Sequence, residues 1–134
     1  MMSAVRGSDT KPELFVRRSL YASGFRFRLH RSDLPGKPDI VIPAYRTAVF
    51  VHGCFWHGHH CKRGKLPETR REFWERKIRS NVERDRRADA ALTAAGWSVE
   101  TIWTCELEER TKELIATLRH RRAQRATELA RYSA

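Results

Sequence analysis

Four histidines and two cysteines are concentrated in one basic stretch of the sequence, VFVHGCFWHGHHCKRGK, which runs from Val49 to Lys65. Imidazole and thiol groups bind metal ions and transfer protons, and the two adjacent aromatic rings in the stretch can stack on bases. The stretch therefore predicts a metal site, a hydrolytic site or a nucleic-acid contact. Residues elsewhere in the chain indicate how these functions combine.

The cysteines predict a structural zinc site. Cys54, His59 and Cys61 lie within eight residues, and Cys105 is the only other cysteine in the chain. Three thiolates and one imidazole make a tetrahedral set that suits Zn2+, and an odd number of cysteines favours metal ligands or reduced thiols over disulfides. His60 is an alternative to His59, since spacing does not separate them. The competing interpretation is that Cys54 and Cys105 are small buried apolar groups.

A hydrolytic site is predicted around Asp39, which begins an aliphatic segment directly after a Pro-Gly-Lys-Pro turn. A carboxylate at a strand start can hold Mg2+, although a single aspartate in such a place more commonly caps a turn. The next aliphatic segment ends in His52, and His57 follows closely. Taken singly, each histidine is more commonly a polar loop residue. Together, an acid and two imidazoles in a basic chain favour metal-assisted phosphodiester hydrolysis, with a histidine carrying the proton.

Asp85 is a further candidate for this site, because it could orient an imidazole from the helix on which it is predicted to lie. It stands in the charged run Glu-Arg-Asp-Arg-Arg at residues 83–87. Such a run usually forms solvated ion pairs on a helix surface. The residues alone therefore favour an exposed ion pair for Asp85.

An aromatic pair, Phe55 and Trp56, lies between two of the predicted zinc ligands. If the flanking residues are tied to a metal, both rings cannot turn into the core. An exposed aromatic pair on a basic protein predicts insertion between bases. Trp74 could join the pair, or it could belong to the core, because it is in helical register with Ile78 and Val82.

Seven elements are predicted to position these groups, in the order α-β-β-β-α-β-α, which indicates one mixed sheet with helices on its faces. Each of the first two helices is predicted to begin at a capping box, and the last helix is predicted to end in a basic run. The predicted elements are a helix from residues 10–13 to Gly24, strands at 25–30, 39–42 and 47–51, a helix from 69–72 to about Gly96, a strand at 97–103, and a helix from about Glu106 to 119–122.

The charge of the chain predicts a polyanionic partner. Lys and Arg number 27 against 16 Asp and Glu, so the formal net charge is +11 over 134 residues. Nucleic acid is favoured over an anionic membrane surface, because the apolar residues are needed for one core. No apolar run is long enough to span a bilayer, and the first residues lack a signal-peptide pattern, which predicts a cytosolic protein.

In its motifs the sequence resembles the very short patch repair (Vsr) endonuclease family. The resemblance covers the chain in order from its first residues to about Cys105, and HGCFWH followed by a cysteine and NVERDRR is a specific combination. Val51 stands where relatives often carry threonine. The matching motifs are TKPE at 10–13, LPGKPD at 34–39, HGCFWH at 52–57, Cys61, EFW at 72–74 and NVERDRR at 81–87.

The resemblance implies a restriction-endonuclease-like fold with a structural zinc. It implies Mg2+-dependent nicking beside the thymine of a T:G mismatch, which starts very short patch repair of deaminated 5-methylcytosine. The implied catalytic residues are Asp39 and the Val51 carbonyl as Mg2+ ligands, His57 in proton transfer, Asp85 in its support, and Glu13 and His52. The implied zinc ligands are Cys54, His59, Cys61 and Cys105, and the implied DNA-intercalating residues are Phe55, Trp56 and Trp74.

We expect residues 1–134 to form a single domain, with 1–9 as the end of a DNA-binding arm. The expected partner is double-stranded DNA carrying a T:G mismatch, bound by a monomer in the bacterial nucleoid, and contacts with other mismatch-repair proteins stay open. Two alternatives are a zinc-stabilised DNA-binding protein without catalysis and a related nuclease with a different DNA target. The presence of an acid beside two imidazoles favours the enzyme over the pure binder.

Overall fold

The computed structural model describes residues 10–132, in which three α-helices and four strands are the main elements. They follow one another in the predicted order. The elements are α1 (Lys11–Ala22), β1 (Arg28–Leu29), β2 (Ile40–Ile42), β3 (Thr47–His52), α2 (Arg71–Ala94), β4 (Ser98–Trp103) and α3 (Leu107–Tyr132).

The strands form one mixed sheet in the spatial order β1-β2-β3-β4. β1 and β3 each pair antiparallel with β2, whereas β3 and β4 pair in parallel, from Thr47 opposite Ser98 to His52 opposite Trp103. A parallel pair requires a crossover connection, which α2 supplies. All six residues of β3 pair with the six residues of β4, so the two strands end side by side. The segments that follow them therefore leave the sheet at the same end.

Helices cover both faces of the sheet. On one face, Val16 and Leu20 of α1 and Leu114 and Leu118 of α3 pack against the sheet in the larger core cluster. On the other face, Leu92 of α2 packs against side chains of β3. This double coverage explains why all three residues of β2 are buried and why the aliphatic runs do not alternate with polar residues.

The start of α1 agrees only in part with the predicted capping box. The side chain of Thr10 accepts a hydrogen bond from the backbone N–H of Glu13, and Pro12 lies in the first turn. The Glu13 side chain does not return to cap the helix. It is 2% exposed and lies near His30, at the end of β1. The predicted capping carboxylate is therefore a buried group of the sheet edge.

The prediction that the second helix begins at a capping box is wrong. Helix α2 begins at Arg71, and the residue before it, Arg70, has a left-handed conformation with φ 56° and makes no side-chain capping bond. The backbone at Arg70 thus turns sharply into the helix, and Thr69 lies outside the capping position. The Arg70 guanidinium instead lies over the ring of Phe73, 4.2 Å from its centroid.

Two element lengths also differ from the prediction. The strand predicted at 25–30 is reduced to β1, because Phe25 still bonds through its backbone N–H to Leu20 of α1 and its side chain is buried in the core. Helix α3 continues ten residues past the basic run, to Tyr132. It has no glycine or proline to stop it. No helix within residues 10–132 is long and apolar enough to cross a membrane.

Arg46 fastens the C-terminal end of α2 to the turn between β2 and β3. Its Nη2 and Nε atoms donate to the carbonyls of Ala95 and Gly96, at 2.8 and 3.3 Å, and its guanidinium lies 4.6 Å from the ring centroid of Trp97. Cations near the last carbonyls of a helix are favourable. This contact links the C-terminal end of α2, the helix that carries Asp85, to the sheet.

Candidate active site and metal clusters

A cleft of about 500 Å3 opens at the sheet edge where β3 ends and β2 begins. It is lined in part by Lys37, Asp39, Val51, His52, His57 and Asp85. A larger groove, of about 950 Å3, lies near Pro43 at the opposite end of the sheet, but none of its described lining residues is an acid, a histidine or a cysteine. The smaller cleft is therefore the candidate active site.

Asp39 lies at the base of this cleft, one residue before β2. Its Oδ2 atom accepts a hydrogen bond of 2.8 Å from the backbone N–H of Val51. In a strand, the N–H and C=O groups of one residue point to the same side, so the Val51 carbonyl faces the side of Asp39. Burial and, to a smaller extent, the negative charge of Glu13 raise the pKa of Asp39 to about 6, against the opposing effect of the Val51 hydrogen bond.

Gly36 allows the loop that carries Asp39 to pack against α2. This residue has φ +73°, and a Cβ atom in its place would lie 2.5 Å from the Cβ of Ala88. Only glycine fits both the backbone conformation and the close approach. The contact places Lys37 and Asp39 opposite the face of α2 that carries Asp85.

A pair of stacked imidazoles forms the other side of the cleft. The rings of His52 and His57 are parallel within 2°, and their centroids are 3.7 Å apart. Burial and, to a smaller extent, the positive charge of His57 lower the pKa of His52 to about 4, against the opposing effect of the Asp85 charge. His52 is therefore neutral near pH 7, which avoids the repulsion that two stacked imidazolium ions would have.

Asp85 holds His57 in place. Its Oδ2 atom lies 2.6 Å from Nδ1 of His57, and both side chains are about one third exposed or less. An ionised carboxylate can only accept a hydrogen bond, so Nδ1 carries the proton and Nε2 is left for exchange with a substrate. The arginine-rich neighbours of Asp85 did not indicate this partner, because His57 lies on a loop that only the tertiary fold brings to α2.

Three aromatic rings form a cluster beside the cleft. The ring centroids of Phe55, Trp56 and Trp74 lie 5.1 to 5.9 Å from one another in edge-on arrangements. All three are half-buried, and Trp74 packs against this pair and Phe73 rather than with the core clusters. Asn81 of α2 donates to the backbone carbonyl of Trp56 at 2.9 Å and so ties the cluster to the helix.

The side chains of the four predicted zinc ligands lie close together. The ligand atoms of Cys54, His59, Cys61 and Cys105 all lie within 4.8 Å of one another, and His60 is not part of the group. Cys105 Sγ is 3.5 Å from His59 Nδ1. Cys105 is exposed, so the interpretation as a buried apolar group does not hold for it. Four soft ligands within reach of one point fit a metal ion.

The loop that carries three of these ligands is tightly wound. A Cβ atom at Gly64 would lie 1.8 Å from the carbonyl oxygen of His59, which leaves room only for glycine. Burial alone would raise the pKa of Cys54, but hydrogen bonds from Thr104, Cys105 and Cys61 outweigh it and lower that pKa to about 6. A thiol that ionises readily is suited to metal binding, because the thiolate is the ligand.

The cleft also contains residues that the sequence did not single out. His30, Lys37 and Arg84 line it. His30 ends the alternating run that predicted the first strand, so its place at the sheet edge could have been inferred from that pattern. Lys37 and Arg84 lie within predicted motifs, but nothing in the local sequence distinguishes them from other surface cations.

Comparison with known proteins bears on this arrangement. A family model described as "DNA mismatch endonuclease Vsr" matches residues 1–63. Type II nicking enzyme V.XorIIP of Xanthomonas oryzae pv. oryzae is 54% identical over 109 residues, which cover 81% of this chain and 80% of that protein. Type II nicking enzyme V.NmeAIP of Neisseria meningitidis serogroup A is 43% identical over 110 residues, which cover 82% of this chain and 79% of that protein.

DNA mismatch endonuclease Vsr of Escherichia coli K12 is 47% identical over 111 residues, which cover 83% of this chain and 71% of that protein. The matches thus extend well beyond the HGCFWH motif and include most of the described elements. The resemblance seen in the motifs is confirmed, and the chain belongs to the family of Vsr DNA mismatch endonucleases.

Proposed function

We propose that this protein nicks one strand of double-stranded DNA beside the thymine of a T:G mismatch, in a Mg2+-dependent reaction that starts very short patch repair of deaminated 5-methylcytosine. The observation that carries the proposal is one cleft in which Asp39 and the backbone of Val51 lie opposite the His57–Asp85 pair. Relatives named as mismatch or nicking endonucleases support the same reaction class.

The residues present fit a divalent cation. Asp39, Glu13 and the Val51 carbonyl would hold Mg2+, which selects oxygen ligands. Burial and, to a smaller extent, the negative charge of Glu13 raise the pKa of Asp39 in the metal-free protein, and a bound cation would compensate both effects. When bound, Mg2+ supplies a positive charge for the phosphate and lowers the pKa of a water molecule.

The protein itself supplies proton transfer and orientation. His57 exchanges a proton at Nε2, because its Nδ1 is held by Asp85. Asp85 also stabilises the imidazolium that forms. His52 supports the His57 ring from one face and stays neutral, so it does not raise the cost of that positive charge. Lys37 and Arg84 line the cleft and can bind the phosphates beside the scissile bond.

The aromatic cluster would enter the duplex at the mismatch. Unstacking a base step costs a few kcal/mol, and a mismatched step costs less than a paired one. Rings that are held to α2 and flanked by a metal cluster can supply a rigid wedge. This arrangement couples recognition of a weak base pair to the position of His57, which follows Trp56 directly in the chain.

The cysteine cluster would hold a structural Zn2+ with no open position for substrate. We further propose a single-domain monomer, since one strand is cut at one active site. Double-stranded DNA is the partner that the net charge of +11 favours.

Replacing Asp85 with asparagine should slow nicking about 100-fold and leave DNA affinity unchanged, a size typical of weakened acid–base catalysis. The amide keeps the shape of the side chain but cannot stabilise an imidazolium at His57. Single-turnover cleavage at saturating enzyme would give the rate, and fluorescence anisotropy would give the affinity. Glu83→Gln is the matched control on the same helix, and an equal loss in both variants would contradict this role.

Replacing Trp56 with alanine should weaken binding to mismatched duplex about tenfold or more, since stacking on a base contributes roughly 1–3 kcal/mol. Binding to matched duplex should change less, because the wedge is inserted only where bases unstack. The ratio of the two dissociation constants is the readout. Tyr21→Ala removes an exposed aromatic ring on α1 and serves as the control. An equal loss of affinity for both duplexes would contradict a role of Trp56 in mismatch recognition.

A nicking assay tests the proposed function. Labelled duplexes carry a T:G mismatch, a T:A pair or a C:G pair at one position, and each is incubated with Mg2+ or with EDTA. Mg2+-dependent cleavage of the thymine strand of the mismatch alone is the expected result. Cleavage of all duplexes would indicate a related nuclease with a different target. Tight binding without cleavage by the wild type would identify a DNA-binding protein without catalysis.

A further inference from the structure

The side chain of His30 belongs to a second cluster at the base of the cleft, on the side away from His57. One ligand atom each from Glu13, His30 and Asp39 lies within 4.8 Å of the others. Three different elements meet here: the first turn of α1, the residue after β1 and the residue before β2. Nothing in the local sequence of any one of them indicates the other two.

The Glu13 carboxylate points to a ligand at this place. The residue is 2% exposed, and its buried Oε2 atom accepts no hydrogen bond from the described part of the chain. This is so although Nε2 of His30 and Nη1 of Arg17 lie only 3.0 and 3.4 Å away. These ion pairs compensate the charge of the carboxylate in part, but the buried oxygen still lacks a hydrogen bond, and a bound metal ion would supply the missing contact.

The distances suit one metal ion. With metal–ligand bonds of about 2.1 Å, neighbouring ligand atoms of an octahedral ion are about 3.0 Å apart and opposite ones about 4.2 Å. The 3.0 Å between Glu13 Oε2 and His30 Nε2 matches neighbouring ligands. The carboxylate of Asp39 lies within 4.8 Å of both atoms.

The backbone of His30 is arranged for this position. Its φ is 48°, a left-handed conformation that non-glycine residues rarely adopt, and its N–H donates to the Asp39 carbonyl at 3.1 Å. Such a backbone conformation is unfavourable for a non-glycine residue, and residues that adopt it concentrate at functional sites. The hydrogen bond fixes the distance between His30 and Asp39.

We propose that His30 is a nitrogen ligand of the catalytic divalent cation, with Glu13 and Asp39 as its carboxylate ligands. This deepens the proposed function and rests on it. Mg2+ selects oxygen ligands, whereas imidazole binds transition-metal ions well. The site therefore binds Mn2+ more tightly than Mg2+, and the difference is supplied by His30.

The test uses the full chain with its cysteine cluster loaded with zinc, so that added Mn2+ enters only the cleft. Pulsed electron paramagnetic resonance of bound Mn2+ should show coupling to a nitrogen nucleus. The coupling should be lost in His30→Asn, in which asparagine tolerates the left-handed backbone but cannot reach the ion. It should persist in His57→Gln, the matched control across the cleft.

Calorimetry should show the same effect as affinity. We expect His30→Asn to weaken Mn2+ binding about tenfold or more and Mg2+ binding less than about threefold, with an unchanged melting temperature. His30→Gln serves as a second variant if the first does not fold. The proposal is overturned if the wild type shows no nitrogen coupling, or if the coupling survives in both His30 variants. It is also overturned if His30→Asn weakens the binding of Mn2+ and Mg2+ equally. Mn2+ coupling in a protein that cuts no duplex would reject the proposed function and leave the ligand assignment intact.

Discussion

The variant Asp39→Asn should abolish nicking and, at the same time, raise the free energy of unfolding of the metal-free protein. Cleavage should fall by roughly 1,000-fold or more, because the amide is neutral and cannot hold the cation that supplies charge stabilisation. DNA binding should be kept or improved, since a negative charge that faces phosphate has been removed. Loss of activity together with a gain in stability is the signature of a group kept for function.

The gain in stability depends on pH in a defined direction. Burial raises the pKa of Asp39 to about 6 in the folded protein, above its value near 4 in the unfolded chain. Below pH 4 the group is protonated in both states and nothing is lost. Between about pH 4 and pH 6 the unfolded chain releases the proton first, so the wild type loses stability as pH rises. Above pH 6 the loss is complete, at about 3 kcal/mol.

Asparagine carries no such charge, and its oxygen can still accept the Val51 hydrogen bond. The variant should therefore equal the wild type at pH 4 and exceed it at pH 7. Urea unfolding of both proteins in EDTA at the two pH values measures this difference. Glu128→Gln removes an exposed carboxylate on α3 and should show no such dependence. A variant that is less stable than the wild type at pH 7 would show that the Asp39 charge is already compensated without metal.

The variant Cys54→Ser should lose the proposed structural zinc ion and lower the free energy of unfolding by several kcal/mol. A structural zinc site contributes its binding energy to folding, and serine is a poor ligand in place of a thiolate. Cys54 is also buried, so its replacement leaves an additional polar atom inside the protein. The aromatic cluster should lose its order in the same variant, because its first two rings lie between the ligands Cys54 and His59.

Metal content after dialysis, urea unfolding and tryptophan fluorescence together give the readout for this variant. Cys105→Ser should behave alike, since its thiol belongs to the same cluster. His60→Ala is the matched control: it removes an imidazole next to His59 that lies outside the cluster, and zinc should be retained. Zinc that is lost from His60→Ala and kept in Cys105→Ser would mean that the ligand set is a different one.

Those features that depend on local pattern were predictable from the sequence. The order of elements followed from hydrophobic segments and their separators, and the start of α1 followed from Thr10 and Pro12. The cysteines and histidines were singled out because few other residue types bind metal ions. Even so, spacing alone left His59 and His60 equivalent, and only the turn through Gly58 and Gly64 places His59 beside Cys105.

The places of Glu13 and Asp85 were implied by the family resemblance but not by their sequence neighbours, because they depend on contacts between distant segments. The sequence neighbours of Glu13 are typical of a helix start, so they predicted a capping residue. Its burial instead depends on the position of β1 and β2. Arginines surround Asp85 in the sequence, so its neighbours predicted a surface ion pair. Its observed partner, His57, lies on the loop that follows β3. Patterns within a few residues carry no information about such partners.

The parallel pairing of β3 with β4 also has a consequence for how the protein folds on the ribosome. Paired residues of the two strands, such as Thr47 and Ser98, lie 51 positions apart in the chain, so their pairing is a non-local step that forms late and slowly compared with the helices. Thr104 and Cys105 leave the ribosome only after β4, and the metal cluster cannot close before them. A nascent chain that has exposed Asp39 and His57 but not β4 thus lacks a completed site. The architecture delays completion of the site until β4 and Cys105 have been synthesised.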